Sequence, residues 1–176
     1  AFTFSGTDAT SGVASFECNF DSAGYAACTS PHDTGDDLAD GTHTFNVRAI
    51  DAAGNTGSAA SYSWLVDTTD PAAAVTSTFA WDNDGSVDIA YTSSDGGSGI
   101  ASCTITMSDG DTADCLANAS PATFAMDDTA SGTASITITD VAGNSFTTAD
   151  FTFGVDTADP SVTISDGPAA WDNDDT

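Results

Sequence analysis

The chain has 176 residues and carries 27 carboxylates against one basic side chain, Arg48, for a formal charge of −26. A field of that sign repels nucleic acid and anionic membrane surfaces, and the absence of lysine excludes Schiff-base chemistry, phosphate-gripping lysine loops and lysine–asparagine crosslinks. Every acid but Glu17 is aspartate, whose short side chain favours turns over helices and sets oxygen ligands close to the backbone.

From the start of the chain, strands are predicted over residues 1–4, 13–20, 24–28, 43–50 and 58–66, where apolar and polar side chains alternate at period two. The polar stretch 30–41 reads as a loop. His32 and His43, the only imidazoles, read as exposed loop and strand positions with no catalytic partner.

Residues 47–71, VRAIDAAGNTGSAASYSWLVDTTDP, return as residues 136–160, ITITDVAGNSFTTADFTFGVDTADP. Asp51 and Asp140 stand 89 residues apart, as do Asp67 and Asp156. Each copy is a strand, an Ala-Gly-Asn turn able to supply positive backbone angles, and a second strand stopped by a proline. Further strands are predicted over 73–79, 86–92, 100–107, 112–115, 122–126, 133–139 and 146–155. No stretch keeps helical spacing, and many short strands between Gly, Asp, Ser and Pro turns make the fold class all-β: tandem β-sandwiches, head to tail.

The two copies are offset at their ends. Phe2 aligns with Ile89, Phe4 with Tyr91, Asp8 with Asp95 and Gly12 with Gly99, while Trp171 aligns with Trp81. The expected domains are therefore 1–70, a sandwich domain lacking its first strand; 71–159, a second such domain; and 160–176, the first strand and turn of a next repeat. Either many repeats follow one another in a longer chain, or each subunit donates its last strand to the next by donor-strand complementation.

Cys18, Cys28, Cys103 and Cys115 fall as one close pair per repeat. Of three connectivities, pairing within each repeat alone requires no domain to reach its neighbour. Structural disulfides imply an oxidising compartment, hence an extracellular or cell-surface location, and no apolar run is long enough to suggest membrane insertion.

The motifs FECNFD from Phe16, YAAC from Tyr25, LADGTHTFNVRAIDAAGN from Leu38 and the Trp64–Pro71 stretch WLVDTTDP resemble the bacterial immunoglobulin-like repeats of giant secreted adhesins and other surface proteins. The resemblance covers essentially the whole chain, more strongly in the first repeat. It implies seven-stranded sandwiches, tandem arrays forming a stalk, and, in the calcium-dependent adhesins of this kind, Ca²⁺ near domain junctions.

Calcium is also suggested by the residues, since it takes six to eight hard oxygens. A junction is expected to unite the turn at Asp51 and Asn55, the linker at Asp67 and Asp70, and the turn Asp82, Asn83 and Asp84. Its second copy is Asp140, Asn144, Asp156, Asp159, Asp172, Asn173 and Asp174. Asp8 and Asp95, in TDATSG and SDGGSG, form a weaker second candidate for the ion and otherwise read as ordinary loop turns. Asn118 begins a glycosylation sequon, and Trp64, Trp81 and Trp171 read as packing residues rather than sugar platforms.

Nothing singles out a carboxylate pair in a cleft, and duplication in line suits a spacer better than an active site. The expected function is structural and not enzymatic: an extracellular stalk or filament whose partners are copies of itself or neighbouring repeats. A glycan or surface ligand is expected, if anywhere, at a distal tip that is not in this chain; the rival expectation is that the chain is itself an adhesin recognition module for glycans or a host surface.

Overall fold

The computed structural model describes residues 1–78, 81–117, 120–126 and 129–165, and among these every regular element is a strand. The chain is all-β and immunoglobulin-like. No ladder joins the strands before Asp67 to those after Pro71 among the described residues.

In the first repeat, β1 (Val13–Phe20), β2 (Ala26–Cys28), β3 (Gly41–Asp51) and β4 (Ala60–Val66) form one antiparallel sheet in the order β2-β1-β3-β4. Phe16, Cys18 and Phe20 face Ala49, Val47 and Phe45 across the β1–β3 ladder, so period two puts all six on one face. Cys18 and Cys28 are bonded, tying β1 to its edge strand.

That face is covered by rings rather than by a second full sheet. Phe2 stacks on Phe45 with centroids 4.4 Å apart, and Phe4 meets Phe16 edge-on at 5.2 Å. Residues 1–4, predicted as a strand, make only a bridge between Phe2 and His32, so the predicted loop 30–41 supplies the partner. The imidazoles, expected to be exposed, are half-buried: His32 stacks on Phe45, and His43 on Phe20. The small repeat has few aliphatic side chains, and the flat rings fill the layer instead.

The second repeat is a two-layer sandwich. One layer runs β10 (Thr112–Asp114), β9 (Ile100–Met107), β12 (Thr129–Asp140), β14 (Phe151–Val155) and β6 (Trp81–Asp82), with β13 (Ser145–Thr147) also on β12. Facing it are the pairs of β11 (Ala122–Ala125) with β7 (Ser86–Ile89), and of β5 (Ala72–Val75) with β8 (Tyr91–Ser94). Ile89, Ile105, Ile136 and Ile138 form its dry centre, beside the Cys103–Cys115 disulfide.

Three predicted elements are broken up for local reasons. Strand 86–92 divides at Ala90, where the chain changes partner from β11 to β5 and Ser77 Oγ accepts the Ala90 N–H at 2.6 Å. Strand 146–155 divides because Thr148 Oγ1 accepts the Ile136 N–H at 3.0 Å, and the pairing slips from Thr137↔Thr147 to Ala134↔Phe151. The turn predicted at Trp81 begins instead as β6, laid parallel to β14; Phe79, the predicted end of strand 73–79, lies outside the described residues.

Candidate metal centre

Three carboxylates converge where the first repeat hands over to the second. Asp67 follows β4, Asp95 follows β8, and Asp140 closes β12; each offers an oxygen within 4.8 Å of the others. Asp67 is 8% exposed and Asp140 is 2% exposed. Two oxygens on one calcium ion, each about 2.4 Å from it, lie at most about 4.8 Å apart, so the spacing suits a single ion.

The turns that present these groups fold themselves. Asp140 Oδ1 accepts the N–H groups of Gly143 and Asn144 at 2.7 and 2.8 Å, and Asp95 Oδ2 accepts those of Gly97 and Gly99 at 3.1 and 2.6 Å. Such Asx-type turns are what aspartate before glycine encodes. The two loops are then locked to the linker. Ser98 N–H donates to Asp67 Oδ2 at 2.6 Å, and Asn144 Nδ2 donates both to the Asp67 carbonyl at 3.0 Å and to Asp140 Oδ2 at 2.7 Å. Gly97 forms a cradle, since a Cβ there would overlap the Asp67 carboxylate.

Electrostatics favour a cation in this cluster. Ser98, through its hydroxyl and its backbone N–H, holds the Asp67 carboxyl below its ordinary value, against the opposing effect of burial. Two carboxylates 4.8 Å apart repel by on the order of 3 kcal/mol at an effective dielectric of about 20. The chain's one basic side chain is engaged elsewhere, Arg48 pairing with Glu17 at 2.7 Å over the ring of Tyr25. Asp95 Oδ1 is buried with no hydrogen-bond partner, a state that buried oxygens rarely keep without a ligand. An all-oxygen, anionic donor set of this kind fits a hard cation such as Ca²⁺.

The sequence placed other residues here, and the hairpin explains the difference. Gly41 pairs with Val66 and Val47 with Ala60, so the turn at Asp51 and Asn55 sits a strand length from Asp67, about 30 Å at ~3.3 Å per residue. There Asn55 Nδ2 donates to Asp51 Oδ2 at 2.8 Å, with Asp8 lining the same hollow. Asp140 and Asn144 are likewise at the opposite end of their repeat from Asp156. Asp82 and Asp84 lie at that far end, where the Asp156 N–H donates to the Asp82 carbonyl at 2.8 Å. Asn83, Asp70 and Asp159 are exposed in the turn and linkers. Asp172, Asn173 and Asp174, with Trp171 and Asn118, lie outside the described residues.

The sequence ranks two residues of this region too low. Asp95, only a weaker second candidate beside Asp8, belongs to the cluster with Asp67 and Asp140. Asp40 braces the linker, its oxygens accepting the Thr68 and Thr69 hydroxyls at 2.7 Å each. Counting strand lengths from each turn would have put Asp95 and Asp140 at one end; nothing in the sequence pattern marks Asp40.

No protein-family model and no curated protein matches the sequence. Among solved structures, fibronectin(III)-like modules of Clostridium thermocellum CbhA are similar at 17% identity, over 86% of this chain and 82% of that one, with a TM-score of 0.42.

Proposed function

We propose that the chain is a load-bearing segment of an extracellular stalk or filament, with immunoglobulin-like units at 1–70 and 71–159 and a further unit opening at 160. Units join head to tail, within one long chain or by strand donation between copies, and Ca²⁺ held by Asp67, Asp95 and Asp140 stiffens the junction. The observation that supports this best is the meeting of those three carboxylates, one from the linker, one from a loop and one from a strand end of the following repeat. An ion that binds only when all three are assembled stabilises the assembled geometry by mass action, and so fixes the angle between units. Two disulfides favour an oxidising compartment, and the resemblance to adhesin repeats points the same way.

The test is thermal unfolding and small-angle scattering of the chain with Ca²⁺ and with EDTA, beside Asp95→Asn. Chelation is expected to lower Tm and broaden the distance distribution of the wild type, and to do much less to the variant. Profiles indifferent to EDTA would overturn the role of the cation.

A further inference from the structure

We propose that residues 161–165 of one copy of this chain dock as an added strand along residues 4–7 of a second copy, in the register that β5 takes on β8. The proposal rests on the head-to-tail reading above but not on its cation.

The register is read from the second repeat. There β5 runs antiparallel to β8 with Ala73 opposite Ser93 and Val75 opposite Tyr91, and Ala73 and Val75 pack against the core. Carried forward by the 89-residue period, those two become Val162 and Ile164; carried back through the alignment of Ile89 with Phe2, their partners become Gly6 and Phe4. Val162 would thus face Gly6, and Ile164 would face Phe4. The sizes complement each other, because the larger Val162 replaces Ala73 where the smaller Gly6 replaces Ser93.

Both surfaces are prepared for this contact. Val162 is 92% exposed and Ile164 83%, two branched apolar side chains alternating along an extended segment. On the receiving side, a groove of about 420 Å³ opens between residues 1–4 and β4, lined by Phe4, Phe45, Val47 and Tyr62 among others. Val47 is half-buried there, whereas Ile136, its counterpart, is 0% exposed on β12, the strand that β5 packs against. Strand addition would satisfy the edge backbone of residues 4–7 and cover the groove at once.

Residues 161–165 of the same copy are not the occupant, because the chain's own tail does not reach. Residue 155 lies at the end of β12 marked by Thr129, while the first repeat meets the end marked by Asp140. Those twelve residues span about 40 Å, and residues 156–160 extend at most about 17 Å. The same register sets Asp156 of the donor toward Asp8 and Asp51, as Asp67 is set toward Asp95 and Asp140.

The test measures mass in solution by light scattering over a range of concentrations, for the whole chain, for the double variant Val162→Asp/Ile164→Asp, and for the whole chain with excess peptide DPSVTIS. The wild type is expected to grow in multiples of 17.6 kDa, the variant to stay monomeric with an unchanged circular dichroism spectrum, and the peptide to lower the wild-type mass. A wild type that stays monomeric, or a variant that assembles as well as the wild type, overturns the proposal. Mass growth with an EDTA-insensitive Tm would instead sink only the cation.

Discussion

Asn144 donates from its side-chain nitrogen to the backbone carbonyl of Asp67, 77 residues earlier in the chain, at 3.0 Å. A turn of the second repeat is thereby fastened to the linker residue that follows the first repeat's last strand. Its counterpart Asn55 bonds within its own turn. Asn144→Ala is therefore expected to cost about 1–3 kcal/mol, since it leaves a part-buried carbonyl without that donor. Asn55→Ala should cost less. Denaturant melts of both variants compare them, and equal losses would contradict the interdomain role.

Adjacent glycines in the loop after Asp95 should differ in tolerance. A Cβ at Gly97 would overlap the Asp67 carboxylate, whereas one at Gly96 meets nothing within 4 Å. Gly97→Ala is expected to push Asp67 off the Ser98 N–H and destabilise the chain by about 1–3 kcal/mol, while Gly96→Ala stays near wild type. Any cation-dependent gain in Tm should shrink with the former only.

His43 gives the first repeat a pH dependence. Its Nε2 lies 2.8 Å from the Ala39 carbonyl and its Nδ1 2.6 Å from Asp21 Oδ2, so both nitrogens face acceptors and the protonated ring satisfies both. The Ala39 carbonyl first, and the Asp21 carboxylate second, raise His43 above its ordinary 6.5. The folded chain thus binds this proton more tightly than the unfolded one. The contribution is complete below the unfolded value and disappears as pH climbs through the folded one. Tm measured from about pH 5 to about pH 9 should fall through that window in the wild type, and the fall should be smaller in His43→Gln.

The disulfides should differ in exposure to reductant rather than in loop entropy. Cys18–Cys28 closes a separation of 10 residues and Cys103–Cys115 one of 12, each consistent with about 3 kcal/mol. Cys103 and Cys115 are both buried, with Tyr91 Oη donating to the Cys115 carbonyl at 2.9 Å, whereas Cys28 is only half-buried. Alkylation after mild reduction should label Cys18 and Cys28 first. Labelling in the opposite order would show that the second sandwich opens more readily than its packing implies.

Alternation made β1, β3, β9 and β12 legible in the sequence, because a sheet with one buried face writes its register into every second residue. The pairing of cysteines within each repeat was legible for the same local reason. What was not legible was which turns share an end. Asp51 and Asp67 are neighbours in the motif but lie at opposite ends of a hairpin, while Asp67 and Asp140 are far apart in sequence and meet. Short β6 and the break at Ala90 were hidden too, since both depend on which strand lies alongside and not on the residues' own propensities.

If the unit bears load as proposed, the parallel pairing of β6 with β14 governs how it would carry tension. Trp81 sits opposite Gly154 and Asp82 opposite Val155, and the Asp156 N–H adds a bond to Asp82. In chain order β6 follows only β5 after the entry and β14 is the unit's last strand, the two running side by side toward the exit. Pulling the two ends apart therefore slides these strands past each other along their length, loading all the ladder bonds together. A sandwich wired this way would yield there by shear, at higher force than one whose terminal strands could be peeled apart a bond at a time.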